Sequence, residues 1–411
     1  MTSTTTPSRY LCVALVALAA LVAVVSSCGD DTPSSAIVPD GAARGDLVAH
    51  EQVGKVRAVD VASFVEVEGG EPGATDRFTV SDLTLHRLTY VSTLGDELLT
   101  VSGLVMIPTE ADGTLDIWQH HHGTIIPGDD GEVPSTYRGG AEGSSEMYLI
   151  GATAASNGHV VSMPDYVGYG ASADRDHPYA VHDELAASSL DMLRATSQLM
   201  AELGLRHSRD VILTGWSEGG GAGLATHKLI ETAHADEFRV RASSLLAGPY
   251  DFVGFSDALV AAPNEEREVV SLLSWSLYAL NATDPRLGRP PSDFWSYDVQ
   301  SQQDAIDVPE LTVRATLTPD ALEALATGSD RTLRDVIVAN GLVDGWVPTA
   351  PVYLHSGTDD KIVLHANSVV ANERFTAAGA DSTLYEYPGG DHFTPLVDYV
   401  IRTLDDIAAL P

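Results

Sequence analysis

A chain of 411 residues with 44% hydrophobic side chains has the material for one large core or two ordinary ones, and global disorder is excluded. A formal charge of −35 repels nucleic acid and anionic lipid headgroups, and its ordinary meaning is a solvated acidic surface. Only two cysteines occur, Cys12 and Cys28, both near the N-terminus, so the body of the fold has neither disulfides nor thiolate metal sites.

The chain opens with Arg9, an apolar run from Tyr10 to Val25, and then Ser26-Ser27-Cys28-Gly29. This reads as an export signal, since the run is shorter than the roughly 20 residues a spanning helix needs. The small residues before Cys28 resemble a bacterial lipobox. That resemblance implies a signal peptide over residues 1–27, lipidation of Cys28, and an exported protein held in the cell envelope by its lipid. An ordinary secretory signal or an uncleaved anchor would be the alternatives. Residues 28–48, rich in Asp, Thr, Pro, Ser, Gly and Ala, read as a flexible tether.

Strand-like apolar runs follow at Leu83–Val91, Leu98–Ile107, Leu115–His121, His159–Met163, Val211–Thr214, Ala242–Ala247, Val352–His355 and Leu384–Tyr387. Several are apolar on both faces, which predicts a sheet covered by helices on both sides. Helical periodicity appears between the later strands, over Asp183–Leu203, Gly219–Glu231 and Ala366–Ala378, with Asp183 a candidate N-cap. Leu396, Val400, Leu404 and Ile407 mark one face of a last helix. Alternation of this kind predicts an α/β fold with a mostly parallel sheet and right-handed crossovers. Residues 252–346 break the rhythm with mainly helical pieces, such as Glu265–Leu280 and Pro319–Ala326. They read as a cap inserted between core segments 49–251 and 347–411, the alternative being an extension of the main domain.

The chemistry concentrates at Gly215-Trp216-Ser217-Glu218-Gly219, between a strand and a Gly/Ala-rich helix. A strand that turns sharply into a helix strains the serine, and small residues such as Gly215 and Gly219 on either side avoid a Cβ clash. With 36 glycines in the chain the bare pattern is weak, so its surroundings carry the claim. A serine needs a base, and the base needs an orienting carboxylate. After the strand ending at His355 comes an acidic turn with Asp359 and Asp360; after the strand ending at Tyr387 comes Asp391-His392. Strand C-termini share one edge of an open α/β sheet, so Ser217, one of the two turn acids and His392 can converge. Asp391 is too close to His392 in sequence to be its default partner.

With these residues in the order Ser, Asp, His, the chain from Leu83 onward resembles the α/β-hydrolase superfamily. His121-His122-Gly123-Thr124 looks like that family's His-Gly loop. The resemblance implies oxyanion donation from the backbone N–H groups of Thr124 and Glu218, and its spacing favours Asp360 over Asp359. Pro164-Asp165-Tyr166-Val167-Gly168-Tyr169-Gly170, His177-Pro178-Tyr179 and Ala247-Gly248-Pro249-Tyr250-Asp251 resemble secretory lipases and carboxylesterases. The expected function is therefore hydrolysis of a small-molecule carboxylic ester through an acyl-enzyme, without a cofactor. Two rivals are a serine peptidase of the prolyl-oligopeptidase kind and a non-catalytic binding lipoprotein on the same scaffold. The first usually carries a propeller, for which there is no room. Neighbours among His120, His121 and His122 alternate faces, which argues against a shared metal ion. Asp165 is expected to fix a loop. The side chain of Glu218 is left without an assigned role.

Overall fold

A computed structural model describes residues 37–68, 81–110, 113–140 and 146–410. The expected signal peptide, Cys28 and the first part of the tether lie outside them. In chain order the regular elements are β1 (Leu47–Val56), α1 (Ala58–Glu68), β2 (Leu83–Leu94), β3 (Glu97–Pro108), β4 (Thr114–His121), α2 (Thr153–Ser156) and β5 (Val160–Pro164). There follow α3 (His182–Glu202), β6 (Arg206–Trp216), α4 (Glu218–Ala233) and β7 (Arg239–Leu246), then the helices α5 (Phe252–Ala261), α6 (Val269–Thr283), α7 (Gln302–Ile306), α8 (Val313–Thr316), α9 (Pro319–Thr327) and α10 (Arg331–Ala339). The chain closes with β8 (Val352–Gly357), α11 (His365–Ala378), β9 (Ser382–Tyr387) and α12 (Leu396–Ala409).

The nine strands form one sheet in the order β1-β2-β3-β5-β4-β6-β7-β8-β9. From β5 to β9 every pairing is parallel, and β1, β2 and β3 extend the sheet as an antiparallel arm. Two-sided burial has the expected cause. In β6, Val211 and Leu213 pack with Leu190, Leu193 and Leu199 of α3, while Ile212 faces Tyr399, Val400 and Leu404 of α12. A strand sandwiched between helices favours apolar residues at successive positions, because the period-2 alternation puts neighbouring side chains into different helical layers.

Three expectations shift. Strand β1 was not anticipated, since its edge position leaves much of Leu47–Val56 exposed and its pattern polar. Asp183 is not the cap of α3: Val181 occupies that position without a side-chain bond, and Asp183 lies in the first turn, where the helix dipole favours an acid. The tether expected through residue 48 is already held from Arg44 onward. Arg44 Nε meets buried Asp191 at 3.0 Å, Gly45 N–H donates to Val91 O at 2.8 Å, and Gln198 Nε2 donates to Gly45 O at 2.7 Å. A carboxylate removed from water needs a cation, and Arg44 joins Arg194 in supplying it.

Between β7 and β8 the chain makes the helices α5 to α10, with a 3-10 turn at Pro291–Asp293 between α6 and α7. The piece expected at Pro319–Ala326 is α9, with Thr318 capping Ala321 N–H, Pro319 opening the helix and Gly328 closing it at φ 65°. The segment builds its own apolar cluster around Trp275, Phe294, Trp295, Leu333 and Val336. Tyr179 and Val181, from the loop ahead of α3, join that cluster and tie it to the main sheet. None of the described helices is long and apolar enough to cross a membrane.

Trp275 is fully buried and stacks on Tyr179 with ring centroids 4.0 Å apart and planes 5° from parallel. Trp275→Ala is expected to destabilise the protein by about 3–5 kcal/mol through the cavity it leaves. Denaturant unfolding measures this, and a loss within about 0.5 kcal/mol of zero would contradict the packing described.

Candidate active site

The sheet changes winding direction beside β4. Strand β5 lies on one side of it and β6 on the other, which opens a crevice at the C-terminal ends of these strands. His121 at the end of β4 pairs with Gly215, Trp216 pairs with Leu246, and Gly357 pairs with Tyr387, so the strand ends line one edge. Loops leaving that edge carry Thr124, Ser217, Asp360 and His392.

Ser217 stands between β6 and α4 at φ 57° and ψ −123°, a conformation costing a residue with a Cβ about 1–3 kcal/mol. Its neighbours hold it there. Ser217 N–H donates to Leu246 O at 2.9 Å, and Gly220 N–H donates to Ser217 O at 2.9 Å. A Cβ on Gly215 would stand 2.1 Å from Gly219 O, and one on Gly219 would stand 2.0 Å from His121 O. Both glycines are therefore required by backbone, which cannot yield as a side chain can. The tight turn also makes Glu218 the first residue of α4, where backbone N–H groups lack helical partners.

His392 Nε2 lies 2.9 Å from Ser217 Oγ, and His392 Nδ1 lies 2.7 Å from Asp360 Oδ2. The other carboxylate oxygen of Asp360 accepts from Ile362 N–H at 2.8 Å and Val363 N–H at 3.0 Å. An acceptor at Nδ1 places the proton there and leaves the Nε2 lone pair facing the serine hydroxyl. Asp360 is buried while Asp359 is exposed on the same turn, so the geometry picks out Asp360. Asp391 accepts from the N–H groups of Phe393 and Thr394, which hold its carboxyl below the usual range; it shapes the loop that carries His392. Trp216 Nε1 donates to His392 O at 3.1 Å, linking that loop to the elbow.

Glu218 sends its side chain into a fully enclosed position. Oε1 lies 2.9 Å from His177 Nε2 and accepts from Ala180 N–H at 3.0 Å. Ala180, at φ 53°, is kept in the left-handed region by this bond and by its place in the loop. Next to it, Tyr179 Oη meets Thr124 Oγ1 at 2.9 Å. The residue that follows the serine is thereby connected to the loop that follows β4. Asp165 behaves as expected, accepting from Ser102 Oγ at 2.5 Å and Ser135 N–H at 2.8 Å to fasten a buried loop.

A pocket of about 20 Å³ reaches Ser217, with Tyr179, Ala180 and Glu218 on one side and Phe252, Phe255, Val269 and Leu272 of the helical insertion on the other. A second cavity of about 200 Å³ shares Phe255 and Val269 with it; its walls include Ala258, Leu259 and Val370 together with the charged residues Asp251, Arg267 and Lys361. Phe393, which does not line the pocket at Ser217, is 54% exposed, with ring centroids 5.4 Å from His392 and 5.5 Å from Trp216.

The three consecutive histidines make three different sets of hydrogen bonds, the first two sharing Thr214. His120 bridges Thr214 and Glu146, His121 bridges Thr214 O and Thr226, and His122 bridges Gly123 O and Asp165 O. Burial lowers the first two to about 3, so they are neutral struts. Glu146 escaped sequence reasoning altogether. It follows a Gly/Ser-rich stretch with no motif, yet its carboxyl accepts from Gly123 N–H at 3.0 Å and pairs with His120, and burial pushes it up to about 7. An acid that keeps its proton in the fold but loses it in the unfolded chain makes stability fall as pH rises from about 4.5 to about 7, by roughly 3 kcal/mol. Below that window both states are protonated and the loss vanishes. Glu146→Gln is expected to remove this slope. Unfolding free energies of both proteins across that range measure it, and a constant difference between them would contradict the assignment.

Residues 135–404 match the secretory lipase family. No curated protein sequence matches the chain. Its fold is similar to that of the rice cell wall degrading esterase LipA from Xanthomonas oryzae, with TM-score 0.75 and 21% identity over 90% of this chain and 100% of the other. A hydrolase of Legionella pneumophila, described as putative, gives TM-score 0.73 at 21% identity, covering 88% of this chain and 98% of its own. Candida antarctica lipase A in its closed state gives TM-score 0.60 at 16% identity over 87% and 83% of the two chains. The mixed sheet flanked by helices is the α/β-hydrolase fold, and with the family match spanning more than half its length, the chain belongs to the secretory lipase family and is a carboxylic ester hydrolase.

Proposed function

We propose that Ser217 is the nucleophile, His392 the general base and Asp360 the group that orients it, in hydrolysis through an acyl-enzyme. The observation that carries this reading is the unbroken chain Ser217 Oγ, His392, Asp360 at 2.9 and 2.7 Å on a strained elbow. As Ser217 attacks the ester carbonyl, His392 Nε2 takes its proton, and the imidazolium is stabilised by Asp360. The oxyanion is received by the N–H groups of Glu218 and Thr124, each worth on the order of 3 kcal/mol of barrier. Gly123 N–H is engaged by Glu146, which supports Thr124 as the donor in that loop. His392 then returns the proton to the leaving alcohol, and water repeats the sequence to release the acid.

The helical insertion, residues 252–346, serves as a cap that selects the acyl group. The departing oxygen must lie beside His392 Nε2 to be protonated, which directs the alcohol towards Trp216 and Phe393. The acyl chain then takes the opposite side, between Tyr179 and Phe252, and passes Phe255 and Val269 into the larger cavity. That volume fits a medium-length aliphatic acyl group better than an acetyl group. Residues 1–27 act as an export signal, and Cys28 carries the lipid that keeps the enzyme at the cell envelope.

Ser217→Ala is expected to lower turnover of a chromogenic butyrate ester by at least about a thousandfold with unchanged folding, and to abolish labelling by a fluorophosphonate probe. Retained turnover would refute the assignment of Ser217. Ala258→Trp, which fills the larger cavity, is expected to cut octanoyl ester turnover about tenfold or more while acetyl ester turnover stays within about threefold. Steady-state kinetics on two ester series, one varying the acyl group and one the alcohol, decide this. A penalty that follows alcohol length instead would reverse the placement of the two halves of the substrate.

A further inference from the structure

Glu218 places a carboxyl group on the residue whose own N–H is proposed to receive the oxyanion. A bare carboxylate there would oppose the negative charge that develops on the substrate, because few water molecules separate charges in a closed pocket. The surroundings of His177 resolve the conflict. His177 Nδ1 lies 2.7 Å from Val167 O, and a carbonyl oxygen has only lone pairs, so Nδ1 carries a proton. His177 Nε2 lies 2.9 Å from Glu218 Oε1, which also accepts from Ala180 N–H. One proton therefore lies between ring and carboxyl. Whether written as imidazolium with carboxylate or as imidazole with carboxylic acid, the pair has no net charge.

Both side chains are enclosed, 1% and 0% exposed. Tyr169, Trp275, Tyr166 and Tyr179 surround the imidazole with ring centroids 4.7, 5.7, 6.0 and 6.1 Å away, which keeps water from screening the pair. Among the described residues Glu218 makes no ion pair with any other cation: His182 is driven towards neutrality by burial, Glu146 is an acid, and His122, also lowered by burial, spends both ring nitrogens on the carbonyl oxygens of Gly123 and Asp165. Glu218 Oε2 has no hydrogen-bond partner among the described residues, so the balance rests on Oε1 and His177.

We propose that His177 is an electrostatic positioning residue of the ester-hydrolysing site: by sharing one proton with Glu218 it keeps the oxyanion-donating turn free of net charge. The inference rests on the Ser217 reading above. It predicts that removing His177 is harmful because Glu218 is left as an uncompensated buried acid, and that removing the acid as well repairs most of the damage.

The experiment is a double-mutant cycle on the intact enzyme with p-nitrophenyl butyrate as substrate. His177→Gln is expected to lower kcat about a hundredfold with KM changed less than about threefold, comparable to loss of an oxyanion donor. Adding Glu218→Gln is expected to restore at least about tenfold. A double variant no faster than His177→Gln, or a loss confined to KM, would overturn the proposal. Should His177→Gln fail to fold, Glu218→Gln is compared with the double variant. Their kcat values are expected to agree within about fivefold, and a larger drop would overturn the proposal. Failure of the underlying reading is separately visible as turnover that survives Ser217→Ala, and it would remove the oxyanion on which the inference depends.

Discussion

The constraint on which the rest of the site depends is the strained backbone of Ser217. A residue at φ 57° and ψ −123° stays there only if its surroundings forbid relaxation. Here β6 is paired on both sides, Leu246 O and Gly220 N–H hold the peptide groups of the serine, and α4 starts at the next residue. Two glycines let the helix pass over the end of β4 at distances no Cβ would tolerate. The strain is offset by parallel-sheet pairing and by the helical layers on both faces, so the depth of the core and the placement of one hydroxyl are parts of the same balance.

Around that turn, neighbouring loops are joined by polar groups that burial leaves little choice but to pair. Asp360 is fixed by two backbone N–H groups before it meets His392. Trp216 reaches from the elbow to the histidine loop. Glu218 reaches the other way, to His177 and Ala180, and Tyr179 relays this contact to Thr124. Tyr179 also stacks on Trp275, so the helical insertion is registered against the same loop that borders the pocket. Residues of the insertion and of the main body line the same small pocket at Ser217.

Much of the fold was legible because its physical cause is local. Eight of the nine strands among the described residues announced themselves as apolar runs, and α3, α4, α11 and α12 as helical periodicities, most plainly where burial on both faces of the parallel part of the sheet leaves few polar positions to blur the pattern, as at Val160–Pro164 and Val211–Leu213. Strand β1 was missed for the opposite reason: an edge strand with solvent on one side has a weak pattern. Arg44 was assigned to a tether because nothing in its neighbourhood reveals a buried carboxylate 147 residues away. Glu146 gave no signal at all, since its importance comes from a backbone N–H on a distant loop.

By itself the amino-acid sequence determined the fold class, the elbow, and the order of serine, acid and histidine, because each is written in short-range spacing: strand, tight turn, helix, strand end. Tertiary structure decided what depends on atoms brought together across the chain. It distinguished Asp360 from Asp359, turned three adjacent histidines into separate struts, and gave Glu218 a partner in His177. These are choices between chemically equivalent residues, and only burial, distance and the direction of hydrogen bonds can make them.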